Sequence, residues 1–315
     1  MRPCLALLLF CPALLVAGEL SIMGKVAFVE GPAWHADSGN VYFTDIENNR
    51  IMRLDPTGQT HVYRHPSGRA NGLAFDAAGR LLACEGHREG GNRRVTRTNF
   101  DGSITVLTDR FEDQRYNSPN DLVIDSDGRI YFTDPRYGDP AGAQPVEQFD
   151  EQGDVIEGVY RIDLAGDVKR VLTHEIERPN GIAISKDGAF LIVADNNNAP
   201  GGSRKLIRFD RDPQSGEVDA SSAKGLYDWG TDRGPDGICV GPDGHLYATA
   251  GLNFASGTET ADAHRSGVYV ISIEGERLDF IPVPEDMITN CTFGGPNGRI
   301  LYITSGAKLW KYPID

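Results

Sequence analysis

The sequence predicts an all-β fold: a six-bladed β-propeller with four antiparallel strands in each blade. Two observations carry this expectation. Six times a polar residue, usually followed by Gly or Asp, opens a short apolar run: Glu30 (EGPAWH), Asn71 (NGLAFD), Asn120 (NDLVID), Asn180 (NGIAIS), Asp236 (DGICVG) and Asn290 (NCTFGG). The intervals are 41, 49, 60, 56 and 54 residues, the period of a four-stranded blade. Each run is then followed by further strand-like runs, most clearly VYFTD (41–45), IYFTD (130–134), LIVAD (191–195) and LYATA (246–250), bounded by Asp-Gly and Pro-Asn-Gly signals.

Taken in order, blade one reads GPAWH, VYFTD, IMRLD and THVYR, and blade two opens at NGLAFD. Blade three reads DLVID, IYFTD, GVYRID and VKRVL. Blade four reads GIAIS, LIVAD, KLIRF and a weaker 225–229; blade five reads GICVG, LYATA, GVYVISI and LDFIPV. Blade six shows only TFGG, ILYIT and LWKYP before the sequence stops. Its missing strand is assigned to KVAFV (25–29), so that an N-terminal strand closes the ring on the last blade and hides edges that an open sheet would expose. The long connections 86–92, 135–158, 196–203 and 251–266 all fall between second and third strands. They are expected on one rim, as the wall of a pocket.

Residues 1–18 read as a signal peptide, with Arg2, the short apolar stretch Leu5–Ala17 broken by Pro12, and small residues for cleavage. The remainder, 19–315, is expected to be one propeller domain, exported to the periplasm or secreted. No other segment is apolar enough over the length of a bilayer. A net charge of −14, from 45 acids against 31 bases, argues against a nucleic-acid partner. Cys84, Cys239 and Cys291 are too scattered for a disulfide framework and read as buried free thiols, with one unassigned bridge left open.

In a propeller the first strand of each blade lines the axis, so the six opening residues form a ring. Each presents a side-chain oxygen, and Glu30 and Asp236 are carboxylates. Asn-Gly and Asp-Gly also mark ordinary turns, but six in register, one of them Glu-Gly-Pro, favour a site. Oxygen-only ligands describe a hard cation: Ca²⁺ first, then Mg²⁺ or Mn²⁺. Zn²⁺ is less favoured because no His or Cys stands in the ring. Asn71 and Asn120 are candidates to hold substrate, and His87, in the rim segment of blade two, is a further candidate contact. No GxGxxG, P-loop or GxSxG motif is present.

The motifs EGP (30–32), NSPNDLV (117–123), YFTDPRYG (131–138), RPNGIA (178–183) and PDG (235–237) resemble the family of senescence marker protein (regucalcin), gluconolactonase and luciferin-regenerating enzyme. The NSPND and FTDPxYG pair is most like its bacterial gluconolactonase branch. The resemblance implies one divalent cation at the channel mouth, and hydrolysis of a sugar lactone such as gluconolactone. By motif, Glu30, Asn180 and Asp236 match the metal ligands. Asn120 matches the position that faces substrate or completes the metal shell, and Asp236 the general base. The base stays open between Asp236 and a hydroxide on the cation. Regucalcin-like members carry an Arg two residues before the Asn120 position; here that residue is Ser118, and Arg115 or Arg136 are the candidate substitutes. The other readings are an organophosphate or phosphoester hydrolase of the same fold, as in diisopropyl fluorophosphatase, and a non-enzymatic ligand-binding propeller.

Overall fold

The structure, a computed structural model, describes residues 18–86, 90–137 and 148–314. These residues form strands and no helix. Six four-stranded antiparallel sheets are present, five in simple meander order and the last completed by the N-terminal strand, with one short hairpin (Arg110–Phe111 with Gln114–Arg115) between the second and third. The inner strands are Val29–His35, Ala70–Phe75, Leu122–Ile124, Pro179–Ile184, Ile238–Val240 and Ile288–Gly294. Side chains alternate across each sheet, so both faces of a blade must be apolar, and they pack on the neighbouring blades. Between blades two and three, for example, Leu82 and Cys84 meet Tyr116, Phe132 and Tyr160; between four and five, Ala194 and Leu206 meet Trp229, Ala248 and Tyr269.

The ring closes as expected in topology but with different residues. The strand that completes blade six is Ser21–Lys25, not 25–29; it pairs antiparallel with Lys308–Pro313, Ser21 opposite Lys311 and Lys25 opposite Lys308. The apolar alternation of 25–29 misleads because its amides are used differently. Ala27 and Phe28 N–H donate to Asp45 Oδ1 (3.2 and 3.3 Å), and Val26 and Val29 N–H to the Ala307 and Gly306 carbonyls. That segment is a connection tied down by a carboxylate. The true strand carries Gly24 and a bulge between Ile22 and Gly24, which hide its period. The fourth strand of blade four is also longer than 225–229: it runs Val218–Asp228 with a largely exposed, polar face.

The second strands explain the recurring Thr-Asp. Asp134 accepts the Asn117 and Ser118 N–H groups (2.8 and 2.7 Å), and Asp195 those of Glu177 and Arg178 (3.1 and 2.9 Å). Each such carboxylate, like Asp45, fixes the chain entering its own inner strand. Threonines at the penultimate position of second strands join blades. Thr44 Oγ donates to the Asn71 carbonyl (3.1 Å), Thr133 to Asn180 (2.7 Å) and Thr249 to Thr289 (2.8 Å). Thr133→Val keeps the shape and leaves the buried Asn180 carbonyl short of a donor; urea unfolding should show a loss of about 1–3 kcal/mol.

Candidate active site at the channel mouth

Three of the four polar-Gly pairs, at Glu30, Asn71 and Asn180, are bulges of the inner strands rather than turns; Asp236-Gly237 lies just ahead of Ile238–Val240, and in blade six the shift falls just before Asn290. Pairing with the second strand skips the register between Glu30 and Ala33, Ala70 and Leu73, Pro179 and Ile182, and Ile288 and Asn290. A bulge re-aims one side chain and brings the backbone close to its neighbour. Here the polar side chain turns to the channel mouth. The following glycine meets the next blade: a Cβ on Gly72 would lie 2.7 Å from the Asn120 carbonyl oxygen, on Gly181 2.6 Å from that of Asp236, and on Gly237 2.7 Å from Asn290 Cα. The same contacts carry hydrogen bonds, Gly72 N–H to Asn120 (2.7 Å), Gly181 to Asp236 (2.8 Å) and Gly237 to Thr289 (2.6 Å). Glycine is required because the inner strands touch backbone to backbone.

Glu30, Asn71, Asn120, Asn180 and Asp236 line one cavity of about 300 Å³. Asn290 does not; it lines the cavity at the other end of the channel, with its Nδ2 3.2 Å from Asp121 Oδ2. Tyr137, Asn196 and Asn198, from two of the long rim connections, wall the upper cavity, as expected of that rim. His87 lies outside the described residues. Arg115 and Arg136 are not in the lining: the Arg115 guanidinium donates to the Asn92 carbonyl, and Arg136 pairs with Glu157 (3.4 Å). The arginines that do line it, Arg69 and Arg233, were not among the sequence candidates. Both sit just upstream of a ring residue, two before Asn71 and three before Asp236, and that offset was the available signal. Ser118 also lines the cavity.

Asp236 is the most constrained group. Its Oδ2 accepts Arg233 Nη2 at 2.7 Å, and Arg233 Nη1 lies 3.4 Å from Glu259 in the 251–266 rim segment. All three are buried. Burial lifts the Asp236 carboxyl to about 6 in spite of Arg233. Glu30 is raised well above the ordinary carboxylate range, by burial first and then by the Asp236 charge. Glu30 Oε2 accepts the Gly31 N–H (2.9 Å). Asn180 Nδ2 lies 3.2 Å from the Tyr137 hydroxyl, which donates to the Asn196 carbonyl (3.0 Å). Asn71 Oδ1 is buried with no hydrogen-bond partner.

These residues fit a hard divalent cation. Two buried carboxylates repel each other across the cavity, the amides of Asn120 and Asn180 stand beside them, and the orphaned Asn71 oxygen lacks a donor. Among the described residues no three His, Cys, Asp or Glu side chains cluster as a metal site, so any cation here must be held partly by amide oxygens.

Residues 28–307 match the family model described as SMP-30/gluconolactonase/LRE-like region. The chain belongs to the SMP-30/gluconolactonase/LRE-like family. Relatives of this family include a gluconolactonase of Zymomonas mobilis, 26% identical over 91% of this chain and 79% of that protein. A pentonolactonase of Haloferax volcanii is 28% identical over 88% and 80%. Among solved structures, a gluconolactonase from Xanthomonas campestris superposes with a TM-score of 0.77 at 30% identity, covering 95% of this chain and 90% of that one. A calcium-binding regucalcin from Agrobacterium tumefaciens shares the fold, with a TM-score of 0.71 at 17% identity over 95% of both chains. The family resemblance read from EGP, NSPND and PDG is therefore borne out, and so is the six-bladed architecture.

Proposed function

We propose that this member of the family hydrolyses a sugar lactone to the free acid, with a divalent cation, Ca²⁺ first, held by Glu30, Asn180, Asp236 and Asn120. The observation that carries the reading is the convergence of those four side chains, with the orphaned Asn71 oxygen, in one 300 Å³ cavity at the axis. Gluconolactonase and pentonolactonase relatives over most of the chain support the substrate class. A bound cation supplies polarisation of the lactone carbonyl and stabilisation of the charge that develops on its oxygen. Asp236 has one oxygen paired with Arg233, and its carboxylate is the group that would take a proton from the attacking water. Glu30 balances positive charge at the mouth. Asn71, Ser118 and Arg69 are placed to hold substrate hydroxyls, and the rim residues Tyr137 and Asn198 limit solvent access.

Purified protein should be stripped with a chelator and reloaded with Ca²⁺, Mg²⁺, Mn²⁺ or Zn²⁺, then assayed on δ-gluconolactone, a pentonolactone and an organophosphate panel. Stripping should abolish lactone hydrolysis and lower the melting temperature, and one of the cations should restore both. Lactonase activity that survives both stripping and Asp236→Asn removes this reading. Turnover of organophosphates alone transfers it to the phosphoester hydrolases.

A further inference from the structure

The cavity at the other end of the channel, about 360 Å³, contains a pair of groups that the proposed reaction does not use. Cys239 and Cys291 both line it, and their sulfurs are 3.3 Å apart. They belong to the inner strands of blades five and six, which are already in backbone contact: Gly237 N–H bonds to the Thr289 carbonyl at 2.6 Å, two residues before each thiol. The remaining thiol among the described residues, Cys84, is fully buried on blade two, across the ring.

We propose that Cys239 and Cys291 are a disulfide-forming pair that staples blade five to blade six beneath the candidate active site. A disulfide needs a sulfur–sulfur distance of about 2.05 Å, so closure requires a movement of about 1.2 Å, shared between two side chains. The partner reagent is an external disulfide such as oxidised glutathione. Cys239, partly exposed to the cavity, attacks one of its sulfurs as the thiolate and expels one thiolate. Cys291 then attacks the mixed disulfide at the Cys239 sulfur and expels the second. The two protein thiols lose two electrons and two protons, and the external disulfide becomes two thiols. Burial raises the Cys239 thiol above its ordinary value, so exchange is slow and calls for a long incubation.

The staple has a structural effect at the site. Cys239 lies three residues after Asp236, and Cys291 directly follows Asn290. Bonding them fixes the blade-five wall to its neighbour just below the Asp236 carboxylate, and a cross-link between distant segments restricts the unfolded chain.

The test is peptide mapping of the full chain after overnight exposure to oxidised glutathione, with free thiols alkylated under denaturing conditions. The expected result is a cross-linked pair of peptides carrying Cys239 and Cys291, about 2 Da lighter than their sum, with Cys84 alkylated. The oxidised protein should melt about 5 °C above the dithiothreitol-treated protein, a difference absent in Cys239→Ser. Alkylation of both residues after oxidation, or a stable glutathione adduct on Cys239 with Cys291 alkylated, overturns the proposal.

Discussion

Asp236→Asn should lower kcat/KM for δ-gluconolactone by about 10³-fold at saturating Ca²⁺, within the range for loss of a general base. The substitution is nearly isosteric. The Asn side-chain oxygen can still accept Arg233 Nη2, and Arg233 keeps Glu259 as its counter-charge. The fold therefore survives and the loss is chemical. What disappears is a buried carboxylate that can take a proton from water; burial lifts it to about 6, and a bound divalent cation would draw it back down. Loss of the charge also weakens cation affinity, so activity must be titrated with metal to saturation. A circular dichroism spectrum and melting curve close to the parent, combined with less than a tenfold activity loss at saturation, remove Asp236 from the role of base.

Gly237→Ala should cost about 3 kcal/mol or more, the upper end of the overpacking range. Gly237 has no positive φ to defend, so the penalty is one of contact. The added methyl would sit 2.7 Å from Asn290 Cα and against the Asn290 amide, where backbone closes the space from the next blade. Relief requires blades five and six to part, which breaks the Gly237 to Thr289 hydrogen bond. Gly225→Ala is the matched control: exposed on the outer strand Val218–Asp228, with nothing near the new methyl, it should change stability by no more than about 0.5 kcal/mol. Equal urea midpoints for the two variants contradict the close-contact account of the polar-Gly pairs.

Much of this was legible in the sequence because the repeating unit is written in two registers at once. A polar-Gly pair opens four of the six inner strands, and Thr-Asp ends the second strands of blades one and three. The axial ring, the blade count and the rim position of the long connections follow from their spacing. What could not be read depends on contacts across blades. Arg233 is an ordinary upstream arginine until the 251–266 segment brings Glu259 to it. Arg69 becomes a cavity residue only because its guanidinium donates to the Ile46 and Glu47 carbonyls of blade one (2.7 and 2.9 Å). Asn290 shares the motif of the ring, yet it lines the opposite cavity, where its amide reaches Asp121. The closing strand was displaced by four residues because a side-chain carboxylate, invisible to any strand period, had taken the amides of 27 and 28.

The clasp between Ser21–Lys25 and Lys308–Pro313 has a consequence for how binding and folding are linked. Glu30 follows that clasp at one end of the sequence, while Asp236 comes from the fifth blade, near the other. Val29 is held to blade six on both sides: its N–H bonds to Gly306, and its carbonyl accepts Thr289 Oγ (3.0 Å). A chain with its ends apart therefore has the individual donors but not their convergence. Any ligand that requires Glu30 and Asp236 together binds only the closed circle, and its binding free energy adds in full to the closure equilibrium. Occupancy at the mouth thus acts as a lock on a seam at the far side of blade six.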